Sequence, residues 1–361
     1  MNFFNPTKKA EIIRERLMKD GKYLISKIEG SKQENGTRKV LDTYFRYKDY
    51  MNNEEWFGAS EKEIWSPKFL GLAENFWQKP IKEIKKLEFQ NPSYSASHRM
   101  NDDPRKFSKV FTVQVAGCDY DCNYCYVPKE LNIANPKLGK YFSAEEIINH
   151  FLMARENSKE PMNIIRISGG NPTIVPEIII NIYKEIKNRR LNVYLWIDSN
   201  LSTPKYLEDL GDEIKNILKQ KNVGVVGCFK GTCKEDFAII AGAESKYYKK
   251  QFETVKWFID CKTDFYVYLP ALVYGNNIEE KLKTFIERLR KLNKNLPLRV
   301  EVLAIIDYPW AKLNMDRAEK LGRALPKTDQ RIVFDLWHNK FLPQFYNQEE
   351  LNEYCCQVNL K

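Results

Sequence analysis

Three cysteines fall within eight residues of this chain, at Cys118, Cys122 and Cys125. Cysteine thiolates bind cluster iron well, and cluster-binding segments space them about two to four residues apart. Three thiolates on one short loop can hold three corners of a four-iron cluster, which leaves the fourth iron without a ligand from this loop. The spacing therefore predicts an iron–sulfur cluster with one open iron, where chemistry can occur.

Zinc is a weaker interpretation of the same loop. A structural zinc site normally has four ligands, often arranged as two close pairs. The loop supplies three cysteines, with no nearby histidine and no obvious fourth cysteine. Three merely buried thiols explain the spacing even less well.

The elements that would position this loop begin near residue 108. Short β-branched or aromatic runs there alternate with longer amphipathic stretches, which predicts βα units and a parallel sheet. Six units are fewer than a closed TIM barrel needs. We therefore expect an α/β fold built as a partial, TIM-like (βα)6 barrel, with an open flavodoxin-like sheet as the alternative. The expected strands cover 110–115, 163–168, 193–198, 223–229, 265–273 and 299–306.

Helix start signals lie between these strands. Ser143 and Glu146 form a capping-box pattern, and Pro176 and Pro204 suit first helical turns. In either architecture the loops at the carboxyl ends of the strands converge, and the polar motifs fall at such ends. The expected helices cover 143–155, 176–190, 204–220, 245–260 and 278–293.

The chain is expected to have three parts: an N-terminal helical and irregular extension (1–105), a core domain (106–310) and a C-terminal extension (311–361). In the first part, helical spacing over 8–28 precedes an aromatic-rich stretch with Tyr44, Trp56 and Trp77, and a polar connection over 89–106. Aromatic residues between lysines can stack on bases. More often they anchor irregular segments onto a core, so we expect the extension to wrap the core domain.

Composition narrows the class of protein. The chain has 361 residues and a net charge of +10, from 58 basic and 48 acidic residues mixed along its length. The mixing is typical of a lysine-rich solvated surface, although an excess of basic residues can attract nucleic acid. No apolar run reaches the roughly 18 residues of a membrane helix, and no signal-peptide pattern begins the chain. We expect a cytoplasmic protein with reduced thiols and no membrane partner.

The cysteine loop resembles the signature of the radical S-adenosylmethionine (radical SAM) superfamily. That signature has the spacing Cys118-x3-Cys122-x2-Cys125 after the first strand, with an aromatic residue, here Tyr124, before the third cysteine. The resemblance implies that the three thiolates hold a [4Fe–4S] cluster and that SAM binds the open iron. An electron from the cluster would cleave SAM to a 5′-deoxyadenosyl radical, which abstracts a hydrogen atom from a substrate.

Further positions resemble the SAM-binding elements of the family. In relatives, a Gly-Gly-Glu-Pro element binds the SAM amino group through its backbone; this chain has Asn171 in place of the glutamate, and an amide oxygen can still accept a hydrogen bond from an ammonium. The resemblance places Tyr124 near the adenine and Lys230 near the SAM carboxylate. Asp198 and Asn200 would contact the carboxylate or the ribose. The full set of expected cofactor-binding residues is Tyr124, Gly169, Gly170, Asn171, Pro172, Asp198, Asn200 and Lys230.

Within the superfamily, the core most resembles the activating enzymes of glycyl radical enzymes. The features that support this resemblance are Cys-Asn-Tyr-Cys-Tyr-Val-Pro in the loop, Lys230-Gly231 after the fourth strand and Ile240-Ala-Gly242 in the next segment. Cys228 stands where the activating enzymes usually have an aspartate. The resemblance implies a reductant such as ferredoxin or flavodoxin. The substrate is a protein glycine or another peptide, an RNA or a small metabolite, and the sequence does not rank these.

Two alternatives use other classes of function. The cluster could be structural or carry electrons in a protein without catalysis, as Asn171 in place of glutamate would allow, or a metal could stabilise a nucleic-acid binder. The cysteines outside the loop could also hold an auxiliary cluster, but they lack a compact Cys-x2-Cys element and buried free cysteines are common. These cysteines are Cys228, Cys233, Cys261, Cys355 and Cys356.

Overall fold

A computed structural model of the chain describes residues 3–26, 29–34, 37–40, 45–48, 109–158, 161–303, 305, 309–352 and 358–360. Within these ranges, no helix is both long enough and apolar enough to cross a bilayer. The aromatic stretch from Tyr50 to Trp77, the polar connection over 89–106, and Cys355 and Cys356 lie outside the described residues.

The chain begins with a helix and a set of antiparallel strands. Asn5 caps the first helix by accepting a hydrogen bond from the Lys8 amide, and Pro6 occupies the first helical turn. A tight turn at Asp20 and Gly21, both with positive φ, then reverses the chain. The N-terminal elements are α1 (Pro6–Leu17), β1 (Met18–Lys19), β2 (Lys22–Ser26), β3 (Glu29–Glu34), β4 (Thr37–Val40) and β5 (Phe45–Lys48).

Six parallel strands form the centre of the molecule. They lie side by side in the order in which they occur along the chain, as the right-handed βα arrangement requires. Among the described strands, no pairing joins the last strand back to the first, so the sheet is an open, partial barrel. These strands are β6 (Lys109–Val115), β8 (Met162–Gly169), β9 (Tyr194–Ser199), β10 (Val223–Cys228), β11 (Asp264–Pro270) and β12 (Val300–Leu303).

The edge of the sheet at β6 is covered by antiparallel strands. β2 pairs with β6 through Ile25 and Val115, and it also pairs with β7 (Gly139–Phe142). β5 pairs with β6 over four residues. The N-terminal extension therefore continues the barrel sheet instead of only wrapping it.

Side chains alternate between the two faces of each parallel strand. Outward residues such as Ile165, Ile167 and Val225 pack in the large core beneath the helices. Inward residues such as Trp196 and Tyr266 form a second, smaller cluster inside the barrel. Because the strands are buried on both faces, their sequences are nearly continuous apolar runs in which a polar inward residue stands out.

Helices cover the outer face of the sheet. Ser143 and Glu146 form the expected capping box at the start of the first of them. Short 3₁₀ turns occur at Lys129–Leu131, Pro136–Leu138, Pro172–Ile174, Ser245–Tyr247 and Leu296–Arg299. The helices are α2 (Ala144–Glu156), α3 (Glu177–Asn188), α4 (Lys205–Glu208), α5 (Gly211–Leu218), α6 (Lys234–Ala241), α7 (Tyr248–Asp260) and α8 (Ile278–Leu292).

The C-terminal segment returns to the barrel after β12. Its elements are α9 (Pro309–Lys320), α10 (Gln330–Asp335), a π-helical turn (Leu336–Phe341), α11 (Leu342–Phe345) and α12 (Gln348–Asn352). Arg299 anchors the end of the chain by donating to the carbonyl of Val358. The expected boundary at residue 310 falls inside α9, and the one at 105 lies outside the described residues.

Several expected elements differ from the structure. The helix predicted over 8–28 ends at Leu17, because Asp20 and Gly21 turn the chain and Leu24 and Ile25 are buried in β2. The helix predicted over 204–220 is broken into α4 and α5 at Gly211, whose φ is +56°. Helix α6 was not predicted; Cys233 caps it, accepting from the Asp236 amide. All six predicted strands are present, with the fifth and sixth ending earlier than expected.

Phe285 packs in the core between the sheet and its covering helices. It is fully buried on α8, and its ring lies 5.0 Å from Phe229 and 6.3 Å from Trp337, centroid to centroid. We expect Phe285→Ala to lower the free energy of unfolding by about 3–5 kcal/mol, because it leaves a cavity that the barrel cannot close. Urea unfolding under reducing conditions measures this.

The matched control is Met153→Ala on α2, where the side chain is 59% exposed. We expect this change to cost less than about 0.5 kcal/mol. Equal losses for the two variants would contradict the placement of Phe285 in the core.

Candidate functional site

The three cysteines lie on the loop that leaves β6 at the carboxyl end of the sheet. Cys118 and Cys122 pack against the large core. The backbone of the loop is fixed by the Cys118 amide, which donates to the Asn132 carbonyl at 2.9 Å, and by the Ala134 amide, which donates to the Ala116 carbonyl at 2.7 Å. These two hydrogen bonds therefore close the loop at its base and keep the three cysteines near one another.

A close backbone contact joins this loop to the end of β8. The Asn171 amide donates to the Gly117 carbonyl at 2.7 Å. A Cβ atom on Gly170 would lie 1.9 Å from the same carbonyl oxygen, so any side chain there would push the loop away. Gly169 has a φ of +94°, and a Cβ atom on it would lie 2.4 Å from Gln114 Cγ. Both glycines of the predicted Gly-Gly element are thus required by packing.

The thiols are suited to a metal cluster. Burial raises the pKa of each of Cys118, Cys122 and Cys125 to about 12, so these groups stay neutral unless a cation compensates for the thiolate charge. Among the described residues, no group of three ligating side chains is close enough to hold a single metal ion. A four-iron cluster needs wider spacing, because each thiolate binds a different iron.

Two asparagine amides point their N–H groups at the cysteines. Asn132 Nδ2 lies 3.4 Å from Cys125 Sγ, and Asn200 Nδ2 lies 3.6 Å from Cys118 Sγ. Hydrogen bonds to the sulfur ligands stabilise their negative charge and raise the reduction potential of a bound cluster. The donor set therefore fits a reducible iron–sulfur cluster, and Asn132 is a residue that the sequence analysis missed.

A buried polar network lies beneath the loop. Asp119 Oδ1 accepts from the amides of Asn200 at 2.6 Å and of Asn171 at 3.1 Å. Asn171 also donates to Ser202 Oγ, and its own oxygen accepts from Thr173 Oγ1 at 2.8 Å. Asn171 is fully buried, so its side chain holds three segments together. The expected bond from the SAM ammonium to this amide oxygen would have to compete with Thr173.

Asp119 leaves one oxygen unused. Its Oδ2 is buried and has no hydrogen-bond partner in the part of the chain that the structure describes, although buried carboxylate oxygens usually have one. Asp119 follows Cys118 directly, so the orphaned atom lies at the wall of the predicted cofactor site. The sequence signal was present, because this residue lies inside the cysteine loop.

Lys230 and Tyr124 meet at the same end of the barrel. Lys230 Nζ lies 3.3 Å from Tyr124 Oη, and the lysine is 7% exposed. Burial alone would lower the pKa of Lys230, but Tyr124, Cys122 and Cys228 raise it well above its usual range. Tyr124 packs against a small apolar cluster that contains Ile240, Leu272 and Ile305. The buried ammonium of Lys230 is suited to pair with a carboxylate, and the apolar surface beside it is suited to pack against an aromatic base.

Asp198 lies in the barrel but is already paired. Arg166 Nη2 donates to Asp198 Oδ2 at 2.7 Å, Arg166 Nε contacts both carboxylate oxygens at 3.1 Å, and Ser168 donates to Oδ2 as well. The guanidinium also stacks on Trp196 at 4.3 Å. Asp198 therefore lies at the carboxyl end, as expected, with Arg166 as its partner. Pro172 is buried and begins a 3₁₀ turn behind Asn171.

Elements from outside the predicted core hold the cysteine loop in place. Lys9 on α1 donates to the Tyr120 carbonyl at 3.0 Å, and Leu17 packs on Gly117. Arg323, after α9, donates to the carbonyl and the carboxylate of Asp121, both at 2.9 Å. Asn314 on α9 donates to the Cys125 carbonyl at 2.8 Å. These contacts are long in sequence separation, which is why sequence reasoning missed them.

The remaining described cysteines do not gather together. Cys228 faces the interior of the barrel beside its aromatic cluster. Cys233 caps α6, and Cys261 is buried at the C-terminal end of α7. An auxiliary cluster is therefore not supported by these three residues.

Comparisons with known proteins agree on one family. Residues 113–287 match the model of the Radical SAM superfamily. The chain is 28% identical over 203 residues to the pyruvate formate-lyase-activating enzyme of Clostridium pasteurianum. The aligned region covers 55% of this chain and 78% of that enzyme.

The chain is also similar to several solved structures. Streptococcus suis SuiB bound to the precursor peptide SuiA is 15% identical, with a TM-score of 0.41, over 59% of this chain and 44% of that chain. SuiB bound to S-adenosylmethionine is 17% identical, with a TM-score of 0.38, over 57% and 44%. This chain therefore spans less than half the length of the SuiB chains it matches.

The cysteine loop, the double glycine and the family match converge on residues 113–287. Enzymes of this family use a [4Fe–4S] cluster and SAM, and these are the cofactors of this domain. Residues 113–287 therefore form a radical SAM domain, and the protein is a radical SAM enzyme.

Proposed function

We propose that this enzyme activates a partner protein by abstracting a hydrogen atom from one of its glycine residues. The similarity to a pyruvate formate-lyase-activating enzyme, which extends over most of that enzyme's length, supports a protein substrate. The observation that supports radical chemistry at this site is the half-buried cysteine trio, whose loop is held against Gly170 by the 2.7 Å bond from the Asn171 amide to the Gly117 carbonyl. That contact joins the cysteine loop to the turn at the carboxyl end of β8.

In this proposal, Cys118, Cys122 and Cys125 hold the cluster. The backbone of Gly169, Gly170 and Asn171 holds the methionine end of SAM, with Pro172 fixing the turn behind it. Lys230 pairs with the SAM carboxylate. Asn200 supports Cys118, and Tyr124 lies beside the adenine.

The cofactors supply a carbon radical that can abstract a hydrogen atom, and the protein supplies binding and orientation. One electron enters from a reductant such as ferredoxin or flavodoxin. The apolar cluster around Tyr124 excludes water from the adenine end. Asp198 holds Arg166 inside the barrel through the 2.7 Å bond between Asp198 Oδ2 and Arg166 Nη2. In this proposal Asp198 therefore helps to shape the space that receives the substrate.

Hydrogen transfer from a labelled protein tests the proposal directly. Reconstituted enzyme, SAM and a reductant are incubated with the protein fraction of cells grown on α-deuterated glycine. We expect deuterium in 5′-deoxyadenosine and, with unlabelled protein, an electron paramagnetic resonance doublet from the remaining α-hydrogen of a glycyl radical. Mass spectrometry and spectroscopy measure the two signals.

The control is the same enzyme with Cys122→Ala, which lacks one cluster ligand. Deuterium transfer from the RNA fraction, and none from protein, would replace the protein substrate by an RNA, which the net charge of +10 would then explain. SAM cleavage without label from either fraction would contradict the glycine proposal.

Gly170→Ala tests the contact between the loop and β8. The added methyl group would lie 1.9 Å from the Gly117 carbonyl oxygen, so the loop must shift and the thiols must separate. We expect the iron content of reconstituted protein to fall by more than half, with secondary structure retained. Iron analysis and circular dichroism measure these quantities.

Gly211→Ala is the matched control, because a Cβ atom there meets nothing within 4 Å. It costs stability through its positive φ, by about 1 kcal/mol, and should keep full iron content. Normal iron in Gly170→Ala would show that the loop does not depend on this contact.

Lys230→Met tests the binding of the SAM carboxylate. The variant keeps the length of the side chain and removes its buried charge, so we expect SAM to bind roughly tenfold or more weakly, as the loss of a charge-assisted hydrogen bond implies. Equilibrium dialysis against cluster-loaded protein measures this. Lys234→Met, at a side chain that is 69% exposed, should leave the affinity unchanged; equal affinities for all three proteins would remove Lys230 from the site.

A further inference from the structure

The interior of the barrel contains charged groups that SAM binding does not use. Parallel register places Cys228, Tyr268 and Glu301 side by side on β10, β11 and β12. Arg166 and Asp198 project inward from β8 and β9, below the end that carries the cysteine loop. The thiol of Cys228 is acted on electrostatically by Lys230, Asp198, Arg166 and Glu301, so these groups surround one chamber.

The charged groups around this chamber are not all paired with one another. Arg166 and Asp198 form a bidentate ion pair and neutralise each other. Lys230 is turned towards Tyr124 at the mouth. Among the described residues Glu301 forms no ion pair, and its Oε2 atom, which is shielded from solvent, has no hydrogen-bond partner.

A carboxyl oxygen that is shielded from solvent and has no partner favours the uptake of a proton or a cation, because an isolated charge is costly in an apolar surrounding. Burial raises the pKa of Glu301 to about 8, and Arg166 opposes this increase. This shift favours the protonated form of the carboxyl at pH 7. A ligand cation that donates N–H groups would replace that proton and satisfy Oε2.

A second polar atom on the inner face of the sheet is also unsatisfied. Trp196 is 2% exposed, and its buried Nε1–H has no acceptor among the described residues. Its ring is covered by the Arg166 guanidinium at 4.3 Å. An acceptor and a donor that are shielded from solvent and unpartnered on the inner face of the sheet are expected where a polar ligand binds inside the barrel.

We propose that Glu301 binds a cationic nitrogen, a primary ammonium or a guanidinium, on the part of the substrate that enters the barrel. For a protein substrate this group is a lysine or arginine side chain near the reacting residue. The inference rests on the proposed function in one respect, namely that the barrel interior receives the substrate. A neutral group of the same size would leave the carboxyl protonated and its Oε2 unsatisfied.

The protonation of Glu301 gives a direct test. In the cluster-loaded protein with SAM and no reductant, infrared difference spectra between wild type and Glu301→Gln isolate the protonated carboxyl band at pH 7. We expect n-butylammonium to remove this band from the wild type, because the carboxyl becomes ionised on pairing. n-Butanol, which has the same chain and no charge, should leave the band in place.

Radiolabelled n-butylamine measures the binding itself by equilibrium dialysis. We expect it to bind Glu301→Gln roughly tenfold or more weakly than wild type, as the loss of a charge-assisted bond implies. Glu279→Gln is the matched control, since that side chain is 59% exposed and pairs with Lys340 on the surface. This variant should match wild type in both measurements.

A band that persists in saturating n-butylammonium, or equal binding to wild type and Glu301→Gln, would overturn the inference. If the glutamine variant fails to fold, the wild-type spectra with the two probes still decide it. Because no reductant is present, these outcomes do not depend on turnover. Absent deuterium transfer, with the band removed by the cation, would count against the glycine substrate alone.

Discussion

The 2.7 Å hydrogen bond from the Asn171 amide to the Gly117 carbonyl is the constraint on which the site depends. It joins the cysteine loop after β6 to the turn after β8, and it requires that position 170 carry no side chain. Because backbone meets backbone, the separation of the cysteine loop from the turn at Gly170 is set by main-chain geometry. Side-chain rotamers cannot loosen it, so a cofactor that spans both elements meets a preorganised site.

The buried network around Asp119 has a related role. A carboxylate, two amides and two hydroxyls are costly to bury, and they are retained here with most of their hydrogen bonds satisfied. Asn171 and Asn200 come from the ends of different strands, so the network fixes the spacing of those ends beneath the cluster loop. Asn171 therefore performs, as a neutral amide, a structural task that a charged glutamate could not perform next to Asp119 without like-charge repulsion.

Much of this could be predicted from the sequence, and the reasons are local. The cysteine spacing, the strand order and the double glycine depend on neighbouring residues. The helix predicted over 8–28 was wrong beyond Leu17, because Leu24 and Ile25 fit both a helical spacing and a buried strand until the turn at Gly21 is taken into account. Arg166 and Glu301 had a usable signal, since each interrupts an apolar strand. The contacts of Arg323 had none, because they link residues about 200 positions apart.

The surface of this enzyme favours an acidic partner, whereas the interior of the barrel favours a basic group. The net charge of +10 favours encounter with an acidic partner over distances of about a Debye length. Inside the barrel, Arg166 and Asp198 form an ion pair, and Glu301 has no ion-pair partner among the described residues. Encounter and final binding are separate steps, so the two preferences are compatible. A partner with an acidic surface and a basic residue beside its reacting position would satisfy both, and a partner with only one of these features would lose either association rate or binding within the barrel.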